Sequence, residues 1–69
     1  MKMVAVKSSM IHSVGYDPGS KAMRIAFHGG NVTQYEGVPA HLHAALMSAP
    51  SVGKHFNQNF RYKFEGKRI

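Results

Sequence analysis

KAMRIAFH at Lys21–His28, GGN at Gly29–Asn31 and VTQYE at Val32–Glu36 decide the fold. In the first segment Met23, Ile25 and Phe27 alternate with Arg24 and His28, the period-two pattern of a strand with one buried and one wet face. Gly29, Gly30 and Asn31 accept positive φ at little cost, so they close a hairpin into a second strand, Val32–Glu36. Upstream, DPGS at Asp17–Ser20 joins a proline of fixed φ to a permissive glycine, the chemistry of a tight reversal. The segment before it, Ser9–Tyr16, carries Ile11, Val14 and Tyr16 and predicts a further strand. Ile11 and Val14 cannot share one face of a regular pleat, which calls for a bulge, expected near Gly15. Three antiparallel strands in a meander result.

Downstream, Pro39 suits the first position of a helix, where its missing N–H loses no partner. Leu42, Ala45, Leu46 and Ala49 follow at helical spacing. Pro50 ends that helix, and the Ser51 hydroxyl can accept from an exposed N–H to start a second, short one. Val52, Phe56 and Phe60 then share one side, with Lys54, Asn57, Gln58 and Arg61 opposite. Residues 1–7 read as a ragged tail or an edge strand, and residues 63–69 as a tail or a short added strand. The expected class is α+β: a three-stranded antiparallel meander packed against one helix plus a second short helix, in one domain over residues 1–69.

With 69 residues there is room for one core. A domain of this size hides only roughly 60% of the surface its unfolded chain exposes, which favours shallow binding sites over a deep catalytic cavity. The absence of cysteine excludes a disulfide framework, a thiolate zinc site and a thiol nucleophile, and it fits a reducing compartment. The opening MKMVAVKSSM lacks the apolar core of a signal peptide, and no stretch approaches the ~20 apolar residues of a membrane span. A cytoplasmic setting is expected. Nine Lys and Arg against three acids give a formal charge of +6, which favours an anionic partner: nucleic acid or an acidic protein face.

Catalytic and metal chemistry find little support. His41 and His43, two apart on a helix, point roughly 200° apart and cannot chelate together. Asp17, Glu36 and Glu65 lie in separate segments. HGGN at His28–Asn31 looks like an oxyanion loop but has no GxSxG nucleophile turn to serve. Ser51, His55 and Asp17 can be assembled into a nominal triad, as in any chain with this many serines and histidines. No catalytic residue, metal or cofactor is therefore expected. By contrast, Lys54, Asn57, Gln58 and Arg61 place two cations and two amides on one helix face, able to meet phosphates and base edges together. FRYKFEGKR at Phe60–Arg68 interleaves Arg61, Lys63, Lys67 and Arg68 with Phe60, Tyr62 and Phe64, as single-strand binders do when bases stack and phosphates pair. If those aromatics face the core instead, the basic side alone remains and binding becomes sequence-blind and salt-dependent.

SSMIHSVGYD at Ser8–Asp17, YEGVP at Tyr35–Pro39 and SVGKHFNQNFR at Ser51–Arg61 stand in an order and at spacings that resemble the KTSC domain. This small family takes its name from a segment at the carboxyl end of some lysyl-tRNA synthetases and also occurs as short free-standing bacterial and phage proteins. The resemblance spans nearly the whole chain. Its pattern falls on Ser8, Ser9, Val14, Gly15, Tyr16, Asp17, Val38, Pro39, Ser51, Gly53, Phe56, Asn57 and Arg61; Thr33 stands where the family often has a tyrosine. The resemblance implies the fold and the cytoplasmic setting, and the synthetase link points to RNA. Gly15, Pro39 and Phe56 are expected in structural roles. The expected function is a small non-enzymatic module binding RNA through Lys54, Asn57, Gln58 and Arg61, with Lys63, Lys67 and Arg68. The alternative is a protein-interaction module, a small phage or bacterial effector docking on an acidic surface of a larger machine.

Overall fold

The computed structural model describes residues 1–69. Five antiparallel strands form one sheet, β1 (Met3–Ala5), β2 (Ile11–Asp17), β3 (Ala22–Phe27), β4 (Val32–Tyr35) and β5 (Gly66–Arg68), neighbouring one another in chain order. Helices α1 (Ala40–Ser48) and α2 (Val52–Asn59) lie in the connection from β4 to β5. The α+β class and the central meander of β2, β3 and β4 match the expectation, but the sheet has five strands, not three. Both end segments pair at the edges: Met3 opposes Gly15 and Ala5 opposes Ser13 on one side, while Tyr35 opposes Gly66 and Thr33 opposes Arg68 on the other. Without them β2 and β4 would each present an open row of N–H and C=O groups. Three-residue strands carry too little alternation to announce themselves in the sequence; what orders them is the neighbour they pair with.

The register puts Tyr16, Met23 and Tyr35 side by side, with Val14, Ile25 and Thr33 in the next row. Beneath this face α2 contributes Val52, Phe56 and Phe60, and α1 contributes Leu46, all buried. The bulge is present but sits between Ile11 and Ser13, not near Gly15. The extra residue, His12, lets both Ile11 and Val14 reach the core. Gly15 pairs regularly, and the space a side chain would take there is filled by the thioethers of Met3 and Met1.

In the reversal after β2 the left-handed residue is Lys21, at φ 57°, where Gly19 was expected to supply the freedom. The Asp17 carboxylate sets this geometry by accepting from the Ser20 hydroxyl and the Gly19 N–H, each at 3.0 Å. Those two bonds hold its pKa below the ordinary carboxylate value. The β3–β4 hairpin closes as expected, with Gly30 at φ 94° and the Phe27 N–H donating to the Asn31 carbonyl at 2.8 Å.

Pro39 lies one position outside α1, as its extended N-cap residue, rather than inside the first turn. Of the stripe read along α1 only Leu46 is buried, Leu42 and Ala49 are half-buried, and Ala45 faces solvent. α1 therefore packs along a narrow line. α2 follows its pattern closely: the Ser51 hydroxyl accepts from the Lys54 N–H at 3.4 Å, and the apolar side is fully covered. Tyr16 ties the two halves together. Its hydroxyl donates to the Val38 carbonyl at 2.5 Å and its ring stacks on His43, with centroids 4.5 Å apart. Burial holds the His43 pKa below its ordinary value. Tyr16→Phe is expected to lose about 1 kcal/mol of stability, a fall of roughly 4–8 °C in a thermal melt. An unchanged melting temperature would show that the clamp contributes nothing.

Candidate nucleic-acid interface

α2 exposes Lys54, Asn57 and Gln58, and Arg61 continues the same face one turn on. Beside its first turn, the segment from Lys7 to Met10 runs close enough to leave a cleft of about 510 Å³, with Lys7, Ser8, Ser9, Ser51, Lys54 and Asn57 in its walls. Its construction accounts for Ser8 and Gly53, two residues on which the resemblance rests. The Ser8 hydroxyl accepts from the N–H groups of Met10 and Ile11, both at 3.2 Å, which bends the chain into β2. The Ser8 carbonyl accepts from His28 Nε2 at 2.8 Å, which places a proton on that nitrogen. Gly53 permits the approach: a β-carbon there would stand 2.9 Å from Ser8 Oγ. Gly53→Ala should therefore force the two walls apart and lower stability by about 1–3 kcal/mol in a denaturant titration. A neutral result would mean that the wall yields freely.

A second cavity, of about 260 Å³, opens on the other side of Asn57, between α2 and the β3–β4 hairpin. Met10, Phe27, Tyr35 and Phe56 supply its apolar surface, and Asn31, Asn57 and Arg61 its polar groups. The Phe56 ring meets Phe27 and Tyr35 edge-on, at 5.8 and 5.5 Å between centroids. Burial raises the Tyr35 phenol above its ordinary pKa, with the Arg61 charge acting in the opposite direction. An Arg68 guanidinium nitrogen donates to Asn31 Oδ1, steadying the carboxamide at the entrance. Neither cavity has a carboxylate among its lining residues.

The seven residues read from the sequence as a binding surface do not form one patch. Lys54 and Asn57 line the cleft, Asn57 and Arg61 the second cavity, and Gln58 shares a further hollow with Lys54, Pro50 and His55 but lines neither of the other two. Lys63 is exposed just beyond α2. Lys67 opposes Gln34, so it belongs to the sheet face turned away from the helices, and Arg68 belongs to the helix side. The aromatic interleaving separates likewise. Phe60 is buried and Phe64 packs against the core, so only Tyr62, 85% exposed, is available, with Arg61 5.4 Å from its ring centre. Of the nominal triad, Asp17 is committed to its turn and Ser51 to capping α2. Lys7, Met10, Phe27, Asn31 and Tyr35 join the site only through the fold. The one sequence signal toward them was the Ser8–Ser9 pair in the family pattern.

No helix is long and apolar enough to cross a membrane. The family model for the KTSC domain matches residues 7–64. The crystal structure of a KTSC domain protein from Yersinia pestis superposes with a TM-score of 0.96 at 38% identity, covering 99% of this chain and 96% of that one. An uncharacterized protein of Stutzerimonas stutzeri is 44% identical over 61 residues, 88% of this chain and 86% of its own length. A lysine–tRNA ligase of Nostoc punctiforme is 32% identical over 63 residues, 91% of this chain but 11% of the ligase. With the fold, the Ser8–Gly53 contact and the α2 face in the places where the family pattern falls, the chain belongs to the KTSC domain family.

Proposed function

We propose that this domain is a small non-enzymatic module that binds RNA through the outward face of α2 and the cleft beside it. The observation that carries this reading is the gathering of Lys7, Lys54 and Arg61 with the Asn57 carboxamide around cavities that no carboxylate lines. Cations there meet phosphates without internal neutralisation, and the amide can address a base edge. The net charge of +6 favours the same class of partner. One relative carries its similar segment within a protein named as a lysine–tRNA ligase, an enzyme whose name makes tRNA its substrate. An RNA partner goes with a cytoplasmic setting.

The test is binding of labelled single-stranded RNA, duplex RNA and duplex DNA across a salt series. Neutralising about four phosphates of a single strand gives a slope of roughly −3 in log affinity against log salt. Saturable binding with that slope supports the proposal, and no saturable binding to any RNA, even at low salt, overturns it. The rival reading, docking on an acidic protein surface, draws on exposed Tyr62 beside Arg61, since aromatic residues and arginine are enriched at such interfaces. Its signature would be a partner that survives nuclease treatment of a lysate and is lost with Arg61→Glu.

A further inference from the structure

We infer that the two cavities together seat one nucleotide of an unpaired strand, its base over Met10 and Phe27 and its phosphate between Lys7 and Lys54. This rests on the RNA reading and goes beyond it by naming the unit recognised. Met10 and Asn57 line both cavities, so the two are neighbours around a shared ridge. They differ in the groups they offer. The smaller sets the aromatic and thioether groups of Met10, Phe27, Tyr35 and Phe56 beside polar groups from Asn31, Thr33, Asn57 and Arg61, which supply most of its exposed surface. The larger offers two ammonium groups and the hydroxyls of Ser9 and Ser51, a set suited to phosphate oxygens.

Size agrees with this division. At 260 Å³ the smaller cavity falls under the ~300 Å³ at which pockets for drug-sized molecules begin, so it holds a ring system rather than a whole nucleotide. The cleft of 510 Å³ has room for the sugar and phosphate. Asn57 is placed to read the base. Its carboxamide makes one weak contact, 4.0 Å from the Met10 sulfur, which leaves a carbonyl acceptor and N–H donors for the mixed pattern of a base edge. Asn31 stands at the entrance, held by Arg68. A base inside a duplex cannot enter such a cavity without leaving its stack, so unpaired strands are preferred over duplexes.

The experiment compares a single-stranded RNA hexamer with an abasic ribose-phosphate strand of the same length, following backbone amide shifts and affinity by NMR. The hexamer is expected to bind about tenfold more tightly, the worth of one seated base. It should shift the amides of Phe27, Asn31, Thr33 and Tyr35 as well as those of Ser8–Met10 and Lys54. The abasic strand should shift the second group alone. Asn57→Ala, with its fold checked by thermal melt, should abolish the hexamer's advantage over the abasic strand. Equal affinities and identical shifted residues for the two strands would overturn the base seat while the RNA reading stands. Binding of neither strand would overturn both.

Discussion

Phe56→Ala is expected to lower the free energy of unfolding by about 3–5 kcal/mol, the usual loss when a buried phenylalanine is truncated. Phe56 is 2% exposed and its ring touches Phe27 and Tyr35 on the sheet and Phe60 one turn along α2. No other residue of α2 meets as many aromatic rings, so the truncation opens a cavity where sheet and helix join. Small domains have little reserve: at roughly 0.05–0.15 kcal/mol per residue, a chain of 69 residues has about 3–10 kcal/mol in all. The variant should therefore unfold at much lower urea than the native protein, or be largely unfolded without denaturant. Circular dichroism across a urea series measures this, and Phe56→Leu, which keeps most of the volume, should fall between the two. A loss under about 1 kcal/mol for the alanine variant would contradict the packing described.

Lys54→Glu/Arg61→Glu is expected to reduce RNA affinity by roughly 30-fold or more near 0.1 M salt. If two of about four phosphate contacts disappear, the slope of log affinity against log salt halves from roughly −3, and the remaining loss follows from that change alone. The two new carboxylates add repulsion. Both side chains are exposed, so the fold should persist, with a melt within about 0.5 kcal/mol of the native value. Lys67→Glu makes the control, because it removes a cation from the opposite sheet face and should weaken binding far less. If all three charge changes act equally, the protein attracts RNA by net charge and has no site. Unaltered binding by the double variant would remove α2 from the interface.

The difference between Lys67 and Lys54 shows where reading the sequence stops. Both are basic, both lie near an aromatic, and nothing local separates them; the register of β5 on β4 does. Tyr62 and Phe64 look equivalent along the chain, yet beyond the end of α2 the first is left in water and the second packs against the core. The mismatch of Ile11 and Val14 requires a bulge, but its position depends on how β2 meets β3, which places it at His12 and not at Gly15. Ala45 lies on the helical stripe yet faces solvent, because helical period identifies a stripe and not the width of the surface that covers it.

What this sequence determined unaided is what short-range rules govern. The alternation of Met23, Ile25 and Phe27, the glycines that close the hairpin, the Ser51 cap and the stripe of Val52, Phe56 and Phe60 each depend on neighbours within a few residues, where backbone geometry leaves few choices. The edge strands and the two cavities were decided by tertiary structure. The cleft exists because Ser8 rests against Gly53, and the smaller cavity because α2 crosses a hairpin from which α1 separates it in the chain. Contacts between segments so far apart in the chain leave no period to read, since they form only when the core that Phe56 anchors brings the segments together.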